Sequence, residues 1–314
     1  MMRFPITDLM NQNECYNFLL NILHPNGFGC PNGHLLPPEQ KPHDLSRQPL
    51  VDYKCRICGR VYNLFTNTIW SGTSYDCAVI VLIFRGFLQG ITTKLLAEEL
   101  ERDYGTVLKW RHKIQQQALE KRLDEPLPDI QTEADELFQN AGEKGDKHTD
   151  PEDPPRRRAN KRKGRGTFDN DRPPILGVVG RDSGQIRIAV CDGVKQTTIQ
   201  PKVEHWTNVD ASVNTDECTA YEHLNETGRF HSSVNHSQKE WARDDDGDGV
   251  REVHCNTLEG IWTGLRNFLR PFRGVHKKYL ATYVAMFEWS HNIKRASVNF
   301  MRALMIPNFT YLPI

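Results

Sequence analysis

Residues 130–138 read IQTEADELF, a strand-compatible run that carries two adjacent acids, Asp135 and Glu136. Downstream, residues 209–216 read VDASVNTD, which places Asp216 at the end of another strand-like run. Between these segments, two apolar runs at 175–179 and 186–190 flank the sequence RDSG and predict a β-hairpin. The acids are therefore expected at the ends of strands in the second half of the chain.

A third acidic segment, residues 254–266, reads HCNTLEGIWTGLR and has helical periodicity. One face of this helix carries Asn256, Glu259, Thr263 and Arg266. The buried face is expected to contain Leu258, Ile261 or Trp262, Leu265 and Leu269. Two carboxylates on strands and one on a helix can hold two Mg²⁺ ions roughly 3.5–4 Å apart, an arrangement that serves in-line phosphoryl displacement. Arg266 lies about 10 Å along the helix from Glu259, a position suited to holding a DNA phosphate.

Two short cysteine-containing motifs, residues 30–34 (CPNGH) and 55–59 (CRICG), have the spacing of zinc knuckles. The candidate ligands are Cys30, His34, Cys55 and Cys58. His24 or His43 can replace His34, because both lie in the same polar stretch. Residues 26–70 contain too little apolar material for a core of their own, so a structural Zn²⁺ is expected to stabilise a zinc ribbon.

Residues 75–122 carry the pattern of three helices, of which residues 76–88 are apolar on nearly every face. Thr92 or Thr93 is expected to cap the second helix and Asp103 the third. The inner faces are expected to hold Leu95, Leu96, Ala97 and Leu100, then Val107, Trp110 and Ile114. The outward-facing set of the third helix includes Thr106, Lys109, Arg111 and Lys113. These side chains suit phosphates and base edges, as in a helix-turn-helix, although a plain helical bundle fits the same pattern.

A basic segment lies between the first two acidic motifs. Residues 154–165 read PPRRRANKRKGR and contain seven basic residues and no acidic one. The basic positions are Arg156, Arg157, Arg158, Lys161, Arg162, Lys163 and Arg165. Such a local charge neutralises several phosphates, so this segment is predicted to bind DNA beside the acids. A disordered, solubilising loop is the alternative.

Composition narrows the class of protein. The 314 residues fit about two domains, and 40 basic residues balance 40 acidic ones, which excludes a globally basic, histone-like protein. The longest purely apolar run, residues 77–84, is far shorter than the 18 or so residues that a membrane span needs. The first residues lack the pattern of a signal peptide, so the eight cysteines are expected to be reduced thiols or metal ligands.

Taken in order, the motifs resemble the ISXO-type insertion-sequence transposases, which are related to the eukaryotic Merlin elements. The resemblance runs from about residue 26 to 300 and rests on CPNGH…CRIC (30–58), GIT (90–92), DE (135–136), KGRGT (163–167), NTD (214–216), VNH (234–236) and HCNTLEGIW (254–262). It implies an RNase H-like catalytic domain with a DDE-type site.

The three acidic positions of that family match Asp135, Asp216 and Glu259. Asn256 also matches a recurrent family position, so the third metal ligand is either Asn256 or Glu259. Arg266 stands where the family usually has Lys, and the first knuckle is Cys-x-x-x-His where Cys-x-x-Cys is usual. Both departures keep the chemistry, because His ligates zinc and Arg binds phosphate.

The expected architecture is an α/β RNase H-like catalytic domain preceded by a small zinc ribbon and a helix-turn-helix-like segment. The boundaries are 1–72 for the N-terminal helix and ribbon, 73–125 for the DNA-binding segment and 126–314 for the catalytic domain. That last domain includes the basic loop 154–167 and an acidic loop 231–252.

The function that follows from the resemblance is metal-dependent DNA cleavage and strand transfer at the ends of an insertion sequence, with Mg²⁺ or Mn²⁺ at the site. The partners are terminal inverted repeats and target DNA, with a homo-oligomer when two ends are synapsed and no membrane. The expected location is the bacterial cytoplasm, at the nucleoid, or the nucleus for a Merlin-like copy. The alternatives are a catalytically silent DNA-binding regulator and another RNase H-like nuclease.

Overall fold

The computed structural model describes residues 11–146, 151–152, 164–292 and 298–309. The chain forms two compact units, one made of Met1–Lys121 with Ile293–Ile314 and the other of Arg122–Asn292. The division predicted from the sequence differs, because it assigned the residues after 292 to the catalytic domain and not to the first unit.

The helices are α1 (Gln12–Leu23), α2 (Cys77–Leu88), α3 (Thr93–Glu99), α4 (Tyr104–Glu120), α5 (Gln196–Trp206), α6 (Asn256–Leu269), α7 (Lys277–Asn292) and α8 (Val298–Met305). The strands are β1 (Tyr53–Lys54), β2 (Val61–Tyr62), β3 (Gln131–Phe138), β4 (Pro174–Gly180), β5 (Ile186–Val190), β6 (Ser212–Asp216) and β7 (Phe230–Val234). Short 3₁₀ turns lie at Thr219–Tyr221, Leu224–Thr227, His236–Gln238 and Arg270–Phe272.

The first unit packs its helices around two tryptophans. Trp70 is fully buried and stacks on Trp110 of α4, with 3.9 Å between ring centroids. Helix α8 joins this unit because its buried Leu304 and Met305 pack there, and the Met305 carbonyl accepts the N–H of Ile69 at 2.8 Å. The β1–β2 hairpin of the ribbon has its own small apolar cluster around Tyr62.

The second unit is built on a five-stranded sheet with the order β5-β4-β3-β6-β7. Strands β3, β4 and β5 are antiparallel neighbours, whereas β6 and β7 run parallel to β3. The hairpin predicted from residues 175–190 is confirmed, since Ile175 pairs with Val190 and Val179 with Ile186. This order and these directions fit the RNase H-like α/β fold that the resemblance implied.

Helices cover both faces of this sheet. Every residue of β4 is buried, as expected for a strand with a core on each side. Ile175 and Val179 face α6 and α7, whereas Leu176 and Val178 face α5. Gly177 lets α6 approach, because a Cβ there would lie 2.5 Å from Cη2 of Trp262. Helix α6 is thereby held closely over the centre of the sheet.

Within the part of the chain that the structure describes, every helix is too short or too polar to cross a bilayer.

Candidate functional site

The first predicted acid lies in the middle of the central strand. Asp135 points toward α6, and its Oδ2 accepts the indole N–H of Trp262 at 2.7 Å. Burial, opposed by the bond from Trp262 and assisted by the nearby charges of Asp216 and Glu259, raises the pKa of Asp135 to about 6. The charges of the other two predicted acids therefore act on Asp135.

The second predicted acid, Asp216, is the last residue of β6, the parallel neighbour of β3. Its Oδ1 accepts the backbone N–H of Cys218 at 3.0 Å. Burial raises the pKa of this carboxyl, and the bond from Cys218 opposes that rise. Asp216 is thus a desolvated carboxyl at the end of a strand, and its charge acts on Asp135 in the strand beside it.

Helix α6 presents the face predicted from its periodicity. Its buried residues are Leu258, Ile261, Trp262, Leu265 and Leu269, and Asn256, Glu259, Thr263 and Arg266 are exposed. Asn256 begins the helix, and Glu259 follows one turn later. Of these two residues, Glu259 carries a charge that raises the pKa of Asp135, whereas Asn256 is neutral.

The sequence drew attention to Glu136 only as the neighbour of Asp135. Its Oε1 accepts the hydroxyl hydrogen of Tyr221, and burial raises its pKa to about 8. One ligand atom from each of Glu136, Asp216 and Cys218 lies within 4.8 Å of the others. The only sequence signal for Glu136 was that it adjoins Asp135. Its contact with Tyr221 could not be predicted, because the two residues are 85 positions apart in the chain.

Arg165 acts on these carboxylates, and two further arginines of this unit act on each other. The charge of Arg165 lowers the pKa of both Glu136 and Asp216. Arg172 donates to the carbonyl of Gly164 and to Oδ1 of Asn140, each at 2.7 Å. Burial lowers the pKa of Arg172, and the charge of Arg266 lowers it further, so these two cations are neighbours. The remaining predicted DNA contacts of the basic loop lie outside the described residues; they are Arg156, Arg157, Arg158, Lys161, Arg162 and Lys163.

The two cysteine motifs converge in the ribbon of the first unit. The ligand atoms of Cys30, His34, Cys55 and Cys58 all lie within 4.8 Å of one another. Nδ1 of His34 is 3.3 Å from Sγ of Cys30 and 3.5 Å from Sγ of Cys55. The Cys30 and Cys58 sulfurs are 3.8 Å apart, which matches the edge of about 3.8 Å that zinc–sulfur bonds of ~2.3 Å give in a tetrahedron.

The surroundings of this cluster are also those of a metal site. The backbone N–H groups of Cys58 and Ile57 lower the pKa of the Cys55 thiol to about 7, against the effect of burial. His24, one of the alternative ligands, packs its ring on Phe28 and has Nε2 3.2 Å from the carbonyl oxygen of Leu64. Among the described residues, the cluster contains His34 and neither His24 nor His43.

Helices α2, α3 and α4 form at the predicted positions with the predicted caps. Oγ1 of Thr92 accepts the N–H of Leu95 at 3.3 Å, and Oδ2 of Asp103 accepts that of Thr106 at 2.8 Å. Thr106 and Lys109 are exposed on α4. Lys113 is also exposed, but its ammonium donates to the carbonyl of Ile69 at 2.8 Å.

Two orientations predicted for these helices are wrong. Arg111 is 1% exposed; its guanidinium donates to the Ile91 carbonyl and to Oγ1 of Thr93 at 2.8 Å, and lies 4.1 Å from the centroid of Phe87. Position 111 follows Val107 by four residues and so shares the inner face, where backbone and hydroxyl acceptors satisfy the arginine. Leu95, expected inside, is 47% exposed because Thr93, Leu96 and Ala97 form the buried side of the short α3.

Comparison with known proteins finds a family that resembles part of the second unit. Residues 143–292 match the family of the ISXO2-like transposase domain. The matched residues include Asp216, Asn256 and Glu259, and Asp135 lies just before them. The likeness to this family implies the use of a divalent metal ion.

A relative in a curated collection of proteins extends the likeness to nearly the whole chain. It is an uncharacterized protein in the transposable element ISH50 of Halobacterium salinarum, 26% identical over 295 residues. The alignment covers 93% of this chain and 94% of the relative. The resemblance to insertion-sequence transposases is therefore confirmed, and the two matches support a transposase role.

Two solved structures show weak likeness to the chain. One is a chain from the simian T-cell lymphotropic virus intasome in complex with PP2A regulatory subunit B56 gamma, with a TM-score of 0.28 and 11% identity over 66% of this chain and 67% of that one. The other is from a pre-cleavage Mos1 transpososome, with a TM-score of 0.25 and 10% identity over 71% and 76% of the two chains. Both TM-scores are too low to carry an argument.

Proposed function

We propose that this chain is a transposase that cuts DNA at the ends of an insertion sequence and joins the freed 3′ ends to target DNA. The observation that supports the proposal is electrostatic: Asp135 is a buried carboxyl whose pKa is raised by burial and also by the charges of Asp216 and Glu259. Such a cluster of like charges in a transposase domain favours a bound cation.

The donor set fits a hard divalent ion. Carboxylate oxygens are the preferred ligands of Mg²⁺ and Mn²⁺. The raised pKa values of Asp135 and Asp216 also fit, because a cation would relieve the repulsion that burial strengthens. When bound, the ion supplies Lewis acidity toward the phosphate and a more acidic water. The protein orients this site through the Trp262 bond to Asp135 and the Cys218 bond to Asp216.

For the third ligand we favour Glu259 over Asn256. Glu259 is charged and its carboxylate acts on the pKa of Asp135. Asn256 lies on the same exposed face one turn earlier, where its amide can contact substrate or metal.

DNA is proposed to lie along the arginines beside the carboxylates. Arg165, Arg172 and Arg266 are the candidate contacts to backbone phosphates among the described residues, and the basic positions from Arg156 to Lys163 remain candidates from the sequence. Arg172 is added to the residues predicted from the sequence because of its proximity to Arg266.

Recognition of the element's ends is assigned to the first unit. Thr106, Lys109 and Lys113 on α4 are its candidate DNA contacts, and a Zn²⁺ held by the cluster around His34 would stabilise the ribbon. Synapsis of two ends implies a homo-oligomer, and the site of action is the bacterial nucleoid, or the nucleus for a Merlin-like copy.

The test is strand transfer of a labelled DNA end, taken from the flanks of the encoding gene, with Mg²⁺. The variants are Asp216→Ala, Glu259→Ala and Asn256→Ala, with Glu222→Ala as a control that removes an exposed acid from the same domain. We expect Asp216→Ala and Glu259→Ala to lower the rate by about 10³-fold, as for loss of groups that organise transition-state charge, and Glu222→Ala to match the wild type.

Other outcomes would support a different third ligand or a different function. Activity retained in Glu259→Ala and lost in Asn256→Ala would move the third ligand to Asn256. End binding without products in any protein would favour a silent DNA-binding regulator. Cleavage of branched DNA or hybrids without strand transfer would favour another RNase H-like nuclease.

A further inference from the structure

Glu133 is a fully buried charge two residues before Asp135 on β3. Because side chains alternate along a strand, Glu133 and Asp135 both point toward α6. The Glu133 carboxylate accepts the N–H of Thr257 at 3.0 Å, the N–H of Leu258 at 3.1 Å and the Thr257 hydroxyl at 2.8 Å. These N–H groups belong to the first turn of α6, where backbone N–H groups find no acceptor within the helix itself. A strand residue therefore caps this helix.

Arg181 ties the same carboxylate to the chain that leads into α6. Its Nε donates to Oε1 of Glu133 at 2.9 Å. The other two guanidinium nitrogens donate to the carbonyls of Glu252 at 2.6 Å and His254 at 2.8 Å. One planar fork thus joins the central strand to the segment that leads into α6.

Cys255, which immediately precedes α6, is engaged elsewhere. Its thiol donates to the carbonyl of Asn214 on β6 at 3.4 Å. The entrance of α6 is accordingly fastened to both strands that carry the predicted acids, and Glu133 supplies the charge that matches the positive end of the helix dipole.

We propose that Glu133 and Arg181 are positioning residues for the metal site, because they fix the first turn of α6, with Asn256 and Glu259, against Asp135. The inference rests on the proposed function and names the device that holds its third ligand in place. Glu133 is two residues from Asp135 along β3. Its hydrogen-bond partners, Thr257 and Leu258, lie between Asn256 and Glu259 along α6. Loss of the charge would free the turn while the buried face of α6 stays packed on the sheet.

The test uses Glu133→Gln, with Glu288→Gln as its matched control. Glu288 is another buried glutamate of the same unit that accepts a backbone N–H, from Ile188 of β5 at 3.4 Å. Hydrogen exchange is measured at residues 256–262. Mg²⁺ affinity is measured by displacement of Tb³⁺, whose luminescence is excited through tryptophan, since Trp262 contacts Asp135.

We expect Glu133→Gln to speed exchange in the first turn of α6 and to raise the Mg²⁺ midpoint, each by about tenfold, the size of one lost charged hydrogen bond. Glu288→Gln should change neither. Should Glu133→Gln fail to fold, Arg181→Lys replaces it, because lysine keeps the charge but lacks the fork, and the same two changes are expected in smaller size.

Equal Mg²⁺ midpoints for Glu133→Gln and Glu288→Gln would overturn the proposal, even with faster exchange, because Glu133 would then only stabilise the helix. Neither measurement uses DNA. A wild-type protein that binds Mg²⁺ but joins no DNA ends would therefore contradict the proposed function and leave the positioning role intact.

Discussion

The molecule contains two candidate metal sites that are built in opposite ways. In the ribbon, Cys30, His34, Cys55 and Cys58 converge around short turns with a small apolar cluster beside them. In the second unit, Asp135, Asp216 and Glu259 come from two strands and a helix supported by large cores on both faces of the sheet. From this comparison we expect the ribbon to need a bound ion to fold, whereas we expect the carboxylate site to fold without one and to be destabilised by its own charges.

The largest expected effect is the loss of the ribbon with its zinc. Zn²⁺ binding provides about 10–16 kcal/mol in zinc-finger peptides, far more than the small ribbon cluster can replace. We expect Cys55→Ser, or a strong chelator, to abolish hydrogen-exchange protection at residues 28–62 and to leave β4 protected. A ribbon that stays protected without zinc would break the comparison.

Removal of a charge from the proposed carboxylate site should stabilise the protein, whereas loss of a zinc ligand should destabilise the ribbon. In Asp135→Asn the amide oxygen still accepts the Trp262 N–H, but the buried charge is gone. The raised pKa of Asp135, about 6, means that the folded wild type loses stability as pH rises from 3.8 to 6.

Without divalent ions at pH 8, Asp135→Asn should therefore be more stable than the wild type by about 1–3 kcal/mol, measured by urea unfolding. It should also lose strand transfer by about 10³-fold. A destabilised Asp135→Asn would contradict the view that this site is strained by its charges.

A third prediction separates structure from binding within α4. Arg111→Met removes a buried guanidinium from the Ile91 and Thr93 acceptors and should lower the stability of the first unit by about 2–3 kcal/mol. Lys109 lies two residues earlier on the exposed face of the same helix. Lys109→Ala should leave the unfolding midpoint unchanged and weaken binding to element ends. The reverse pattern would restore Arg111 as a DNA contact.

The smallest effect concerns a buried acid remote from both clusters. Burial raises the pKa of Glu288 to about 8, mainly against the charges of Arg122 and Arg187. An acid whose pKa is raised on folding costs stability as pH rises from about 4.5 to 8. The stability advantage of Glu288→Gln should grow over that window to about 1–2 kcal/mol, followed by denaturation at pH 5, 6, 7 and 8. A constant difference would show that Glu288 does not titrate there.

Local patterns of the sequence were enough for much of this architecture. The 3.6-residue period of residues 256–269 predicted which side of α6 is buried, and short spacing predicted the grouping of the ribbon cysteines. Thr92 and Asp103 were recognisable caps because an N-cap acts on residues two or three positions away.

What could not be predicted depends on pairings distant in sequence. The roles of Glu133 and Glu136 require contacts 124 and 85 residues away, with Thr257 and Tyr221. Arg111 was misassigned because a charged residue at an inner helix position is satisfied only by acceptors from another element, here the turn at Ile91 and Thr93.

The most direct measurement of the central claim is Mg²⁺-dependent strand transfer of a labelled element end by the wild type, Asp216→Ala and Glu222→Ala, with end binding measured in parallel. The account predicts joined products from the wild type and Glu222→Ala, none from Asp216→Ala, and equal binding by all three. Products from Asp216→Ala at the wild-type rate would contradict it.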